Sequence, residues 1–168
     1  MAIILWDASG LVKRYFREVG SGTVDAVIAS PAADQMSVTL WGYSECVAIL
    51  HRKRNGKLID ATTYGSSVTA LQQEVLISSQ FKVLTIEDDR ILAGLPLLVK
   101  HNLNSNDAAI LATYLRFQQT LPPGSPPCLL VAADKRLLRA AEAEGLGTLN
   151  PEAQTPQDIA ARLTGGTV

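Results

Sequence analysis

Cysteine and histidine are scarce in this chain, with two of each among 168 residues. Cys46 lies within a helical run and Cys128 opens an apolar strand pattern, with no C-x-x-C or zinc spacing between them. That excludes a disulfide framework or a zinc ribbon, and both read as small buried hydrophobes of a reducing compartment. His51 and His101 fall near predicted helix C-termini, where an imidazolium meets the helix dipole favourably, and they are not spaced as a ligand pair. Neither charge dominates. A formal net charge of -1 gives no global attraction for a polyanion, so a nucleic-acid partner must be met by a local basic patch or by bound cations. No apolar run approaches the roughly 20 residues that span a bilayer. The N-terminus has no basic n-region and meets Asp7 too early for a signal peptide. The expectation is a cytoplasmic protein with no membrane association.

What is present is apolar patterning. At 47% hydrophobic residues the chain can close one core of single-domain size. Ala2 to Trp6 reads as a buried strand, followed by helical spacing over Ser9 to Phe16 and Thr23 to Ala29 and a short strand at Gln35 to Val38. Thr39 to Arg54 and Leu58 to Ser79 read as two long helices joined at Asn55-Gly56, an αα-hairpin insert. A strand at Phe81 to Ile86, helices at Asp88 to His101 and Ser105 to Gln119, and a stiff loop from Leu121 to Pro127 lead to a strand from Cys128. The helix Lys135 to Glu144, a strand Gly147 to Leu149, and a small helix capped by Thr155-Pro156 and ending before Gly165-Gly166 complete the chain. Strands alternating with helices imply an α/β protein whose parallel sheet, of about four to five strands, is flanked by helices. Residues 1–151 form the expected domain, and 152–168 a short helix and tail of the same domain.

Four acids punctuate this pattern. Asp7 and Asp134 directly follow buried-strand runs, Asp107 stands at a helix start, and Glu45 lies inside an apolar helix. An acid at a helix start caps free N–H groups, which is a sufficient local reason for Asp7, Asp107 and Asp134. Glu45 has no such reason. The segment from Thr39 to Leu50 is apolar on nearly every face, the pattern of a buried helix, and the first base is Arg52, two turns on. In a doubly wound sheet the strand ends carrying Asp7 and Asp134 face one crevice that the other two can border. Two carboxylates about 4 Å apart repel by roughly 4 kcal/mol at an effective dielectric of 20, so four converging acids require protonation or a cation. Oxygen-only donors favour Mg²⁺ or Mn²⁺ over zinc. Glu87-Asp88-Asp89 also follows a strand and is the main rival set, although an acidic cap on an exposed helix accounts for it. The basic clusters are Lys13, Arg14 and Arg17, then Arg52-Lys53-Arg54, then Lys135-Arg136 with Arg139. Of these, Lys13, Arg14, Arg17, Arg52, Lys135 and Arg136 are the candidates for tracking a phosphate backbone.

The segments Asp7-Ala8-Ser9-Gly10-Leu11-Val12-Lys13, Ser44-Glu45, Asn106-Asp107-Ala108-Ala109, and Ala133-Asp134-Lys135-Arg136-Leu137-Leu138 with Gly145-Leu146 and Leu149-Asn150-Pro151 resemble the PIN-domain ribonucleases. The D-x-S-x-L-V-K opening is most similar to the toxins of VapBC-type toxin-antitoxin modules. The resemblance implies a PIN-like three-layer fold and Mg²⁺ or Mn²⁺ held by Asp7, Glu45, Asp107 and Asp134. It also implies endonucleolytic cleavage of RNA, a homodimer, and inhibition by a small antitoxin. In the hydrolytic mechanism expected here, Asp7 and Asp107 hold the metal directly, Glu45 and Asp134 hold its waters or a second ion, and Ser9 orients a ligand or water. Two departures from the family pattern are Ala132, where many members carry Ser or Thr, and Asn106. A phosphatase of the haloacid-dehalogenase type would require an acid where Ser9 stands, and a receiver domain an acidic pair where Trp6 precedes Asp7. The alternative of a different class is a PIN-like module that docks RNA or protein without turnover.

Overall fold

The computed structural model describes residues 1–31 and 33–163, without the side chains of residues 34 and 160–163. Its sheet has five parallel strands in the order β3-β2-β1-β4-β5: β1 (Ala2–Trp6), β2 (Ala33–Thr39), β3 (Phe81–Leu84), β4 (Cys128–Val131) and β5 (Gly147–Leu149). The order reverses at β1, which pairs with β2 on one side and β4 on the other, so Asp7 emerges at the switch point.

Strand alternation builds two cores, one on each face. Ala2, Ile4, Trp6 and Val131 point to one side and meet Leu11, Val24, Val27, Cys46, Leu50 and Leu71. Ile3, Leu5, Cys128 and Leu130 point to the other and meet Ile110, Leu111, Tyr114, Leu137 and Ala141. The first face is covered by α1 (Ala8–Leu11), α2 (Ser21–Ile28), α3 (Leu40–Asn55) and α4 (Ala61–Gln72). The second is covered chiefly by α6 (Ser105–Thr120) and α7 (Lys135–Ala143), with α5 (Asp88–His101) packed on α6. This is the PIN-like three-layer arrangement, with α3 and α4 as the expected αα-hairpin. Gly94 lets α5 close on α6, since a Cβ there would stand 2.9 Å from the Ala108 backbone. The last helix, α8 (Pro156–Leu163), sends Ile159 into the first core and is started by Thr155 with Asp158, as its N-cap pattern predicts. Its expected end at Gly165-Gly166 lies outside the described residues.

Several boundaries differ from the expectation. The first helix is one α turn that tightens into a 3-10 turn at Val12–Arg14, and α2 starts at Ser21 because Gly20 turns the chain in the left-handed region at φ 91°. Asp60 caps α4 three residues later than expected, and the helix ends in a π turn at Gln73–Ile77. β3 stops at Leu84 rather than Ile86. The largest correction concerns α3. It buries only Gly42, Cys46 and Leu50, one stripe at every fourth residue, while Leu40 remains 46% exposed. The helix lies on the outside of the sheet and its apolar surplus faces α4 and solvent. Among the described residues no helix is long and apolar enough to cross a membrane.

Candidate acidic site at the strand ends

Each acid has a local structural explanation, and the four still act on one another. Asp7 is the N-cap of α1: its Oδ2 accepts from the Ser9 N–H at 2.9 Å and from the Ser9 hydroxyl at 2.5 Å, while its own N–H donates to Val131 at the end of β4. Asp134 is the N-cap of α7 and accepts from the Arg136 and Leu137 N–H groups at 2.7 and 3.1 Å. Asp107 occupies the third position of α6 in a reciprocal cap with Asn104, its N–H donating to the Asn104 side-chain Oδ1 and its Oδ2 accepting from the Asn104 side-chain Nδ2, both at 2.8 Å. Glu45 accepts no hydrogen bond of this kind from its own helix.

Electrostatics brings them together. Burial raises the carboxyl of Asp107 from 3.8 to about 7, and the charges of Asp7, Asp134 and Glu45 add to that rise, with Arg136 opposing. Burial likewise pushes Asp7 up, against its Ser9 hydrogen bonds, and Asp134 raises it further. Glu45 is raised by burial and then by Asp7, and lowered by Arg52. Arg52 bears on Glu45 by charge without an ion pair, as the sequence pattern predicts: residues seven apart return to the same helix face, and both line one pocket. The rival acids start α5 beyond the sheet's edge strand, Glu87 accepting from Thr85 at 2.8 Å and Asp89 pairing with Arg90.

The frame holding the acids was largely invisible in the sequence. The Ser9 hydroxyl donates to Asp7 and accepts from the Ala133 N–H at 2.9 Å and the Asp134 N–H at 3.4 Å, tying the end of β1 to the β4–α7 loop. Ser9 thus positions the acids themselves, and Ala132 is buried beside that loop with its N–H on Leu149. Tyr114 is fully buried; its hydroxyl donates to the Trp6 carbonyl at 2.6 Å and accepts from the Thr39 N–H at 3.3 Å, joining α6 to the ends of β1 and β2. Gly10 passes so close to Val131 that a Cβ would lie 2.7 Å from its carbonyl oxygen. Of these, Ser9 stood out in the D-x-S-x-L-V-K opening and the Asn104-x-x-Asp107 cap has a local pattern, whereas Tyr114 left no local signal.

The basic candidates divide. Lys13 is 3% exposed and its ammonium is held by Glu18 at 2.9 Å and Glu152 at 2.7 Å, so it is a structural tie to the C-terminal turn and no longer a phosphate candidate. Arg14 is spread over Asp25 and Glu74, and Arg17 is held by Asp25. Arg52, Lys135 and Arg136 are exposed, and Arg136 reaches the Asn102 carbonyl.

The donor set is oxygen-only and open. Burial, with Asp7 and Glu45 adding, pushes the Cys46 thiol far up and removes it as a soft ligand. Among the described residues no three His, Cys, Asp or Glu side chains form a ready-made metal cage. Such a set fits Mg²⁺, which keeps several waters and takes one or two carboxylates directly, and does not fit tetrahedral zinc.

No protein-family model matches the sequence, and no curated protein does. Solved structures do match in fold. The protein PAE2754 from Pyrobaculum aerophilum is 21% identical over 98% of each chain, with a TM-score of 0.60. A toxin-antitoxin complex from Klebsiella pneumoniae is 18% identical over 88% of this chain and 97% of that one, with a TM-score of 0.55. FitAB bound to an IR36 DNA fragment is 12% identical over 91% and 98%, with a TM-score of 0.62. At these identities the likeness is one of fold, and it spans nearly the whole of every chain compared.

Proposed function

We propose that this protein is a metal-dependent endoribonuclease and the toxin of a toxin-antitoxin pair. The observation that carries the reading is the convergence of acids at the sheet's switch point: on top of burial, the charges of Asp7, Asp134 and Glu45 raise Asp107, Asp7 raises Glu45, and Asp134 raises Asp7. Asp7 and Asp107 would hold Mg²⁺ or Mn²⁺, and Glu45 and Asp134 its waters. Bound there, the cation supplies a water of lowered pKa and neutralises charge building on the phosphate. Ser9 keeps Asp7 and the Asp134 loop in register, and Arg52, Lys135 and Arg136 lie where phosphates flanking the cut would pass.

One fold neighbour is a toxin-antitoxin complex, which supports a small antitoxin as inhibitor. Its apolar segment fits the groove between α3 and α4, about 710 Å³, lined by Leu40, Tyr43, Val47, His51, Tyr64 and Val68. An antitoxin Arg forked onto the acids would displace the cation. A second copy of the chain fits α5, whose outer face exposes Leu92, Leu95 and Val99 in one stripe.

The test is cleavage of a structured RNA pool by wild type and by Asp107→Asn with Mn²⁺ and with EDTA. Cutting that requires both Asp107 and metal is the expected result. RNA bound but uncut under every condition, with no thermal stabilisation by Mn²⁺, would replace this reading with the docking module.

A further inference from the structure

Beside the acids, α3 and the start of α6 enclose a pocket of about 380 Å³ lined by Trp41, Ser44, Glu45, Ala48, Arg52 and Asn106. Trp41, Glu45, Ala48 and Arg52 recur at helical spacing, so one face of α3 presents an aromatic ring, a site carboxylate, a small residue and a guanidinium in sequence. Asn106 looks in from the opposite wall, next to Asp107. Trp41 is half-buried where the core has no use for it: the stripe of α3 that meets the sheet is Gly42, Cys46 and Leu50. Arg52 is exposed and forms no ion pair within 4 Å among the described residues. Lys53, its neighbour, is by contrast fixed on Glu18 and over the Phe16 ring.

We propose that this pocket is the nucleobase subsite for the residue flanking the scissile phosphate: a splayed base stacks on Trp41, the Asn106 amide hydrogen-bonds its edge, and Arg52 takes the adjoining phosphate. The proposal rests on the ribonuclease reading and names the part of the site that selects the RNA. The chemistry argues for a single strand, because unstacked bases are recognised by aromatic platforms and edge hydrogen bonds, whereas a duplex hides both. An amide offers one donor and one acceptor side by side, the complement of a base edge. The apolar groove of α3 and α4 adjoins this pocket, sharing Ser44 and Ala48, and adds Leu40, Tyr43, Val47 and His51, so the RNA face of α3 borders a protein-binding face.

The chain carries its own reporter. It has two tryptophans, Trp6 is fully buried in the core, and a base stacking in this pocket therefore quenches Trp41 alone. The measurement is tryptophan emission of the uncut complex, using Asp107→Asn titrated with short single-stranded RNA of mixed sequence and with inorganic polyphosphate. Expected are quenching by RNA and none by polyphosphate, loss of the quenching in Asp107→Asn with Trp41→Phe, and RNA binding weakened by about tenfold in Trp41→Ala. Asn106→Ala should change which base quenches best while leaving the fold intact. RNA that binds, as read by anisotropy of a labelled strand, without changing Trp41 emission overturns the subsite, as does quenching by polyphosphate alone. Wild type that cuts RNA while the emission stays unchanged would sink the subsite and spare the nuclease. Base-dependent quenching in a protein that never cuts would uphold the subsite and remove the nuclease.

Discussion

Removing one negative charge from the acidic site should stabilise the metal-free protein, and Asp107→Asn is the substitution that isolates the effect. The Asn104 cap survives it, because the Asp107 N–H still donates to Asn104 and an amide oxygen can still accept from it. Asp107 titrates near 7 in the folded chain and at 3.8 as an ordinary carboxyl. Its folded pKa is raised, so between those values the folded state binds more protons than the unfolded one, and stability falls as pH rises through that window. At 1.36 kcal/mol per pH unit the interval amounts to about 4 kcal/mol, and solvent screening at a partly exposed carboxyl brings that to about 2 kcal/mol. For a domain of this size that is a gain of about 4 to 8 °C in Tm at pH 8, with little at pH 4, close to the ordinary carboxyl's 3.8, where the window has barely opened. Thermal unfolding in EDTA at the two pH values reads it directly. Saturating Mg²⁺ should then reverse the order, since a ligand of the native state stabilises wild type more than a variant lacking one of its carboxylates. A variant no more stable than wild type at pH 8, or equally stabilised at pH 4, would refute the argument that like charges converge at Asp107.

Ser9→Ala should cost about 1 to 3 kcal/mol, because the Ala133 N–H and the Asp7 carboxylate lose a shared buried partner; chemical denaturation measures it, and cleavage should fall with it. Lys13→Ala should destabilise by about 2 kcal/mol without weakening RNA binding, while Arg52→Ala should weaken RNA binding without destabilising; paired melting and anisotropy titrations separate the two, and equal RNA effects would return Lys13 to the phosphate path. Gly10→Ala should cost about 1 to 3 kcal/mol in the same denaturation assay, since its Cβ meets backbone at Val131 on a strand that cannot move aside.

The strands were legible because each is short, apolar and punctuated, and the crossover rule then required them to be parallel. The order of the sheet was not spelled out by any segment, yet the emergence of Asp7 and Asp134 from adjacent strands follows from β1 and β4 pairing over Ile3 to Trp6. Helix burial was misread at α3 because counting apolar residues does not reveal which of them face a partner. Tyr43 and Val47 look like core in the sequence but only border it, partly buried, and line a groove. The basic residues were misjudged for a related reason. Lys13 and Arg52 are equally basic in the sequence, but the partners that neutralise Lys13 include Glu152, brought in across 139 residues, and no local pattern announces it. Asn106 had no assigned role until α6 placed it opposite Trp41.

The frame and the acids answer one another. Carboxylates that raise each other's pKa push outward on the elements that carry them, and a loosely held set would relax apart. Here the ends of β1 and β2 are joined through the Tyr114 hydroxyl, the end of β1 to the β4–α7 loop through Ser9, and β1 closes on β4 where Gly10 has no side chain. Each tie spends a buried polar group or a glycine at the switch point, where packing alone would favour an apolar side chain. Rigid support beneath mutually repelling charges has a use when a cation completes the set, because the geometry is then ready before binding and little ordering remains to oppose it. Tyr114→Phe tests this division of labour. It leaves all four acids in place and frees the Trp6 carbonyl and Thr39 N–H, at a cost of about 1 to 2 kcal/mol. If the ties exist to hold the site, the Mn²⁺ concentration that half-stabilises the protein should rise in the variant. If that concentration is unchanged while stability falls, the ties serve the fold alone.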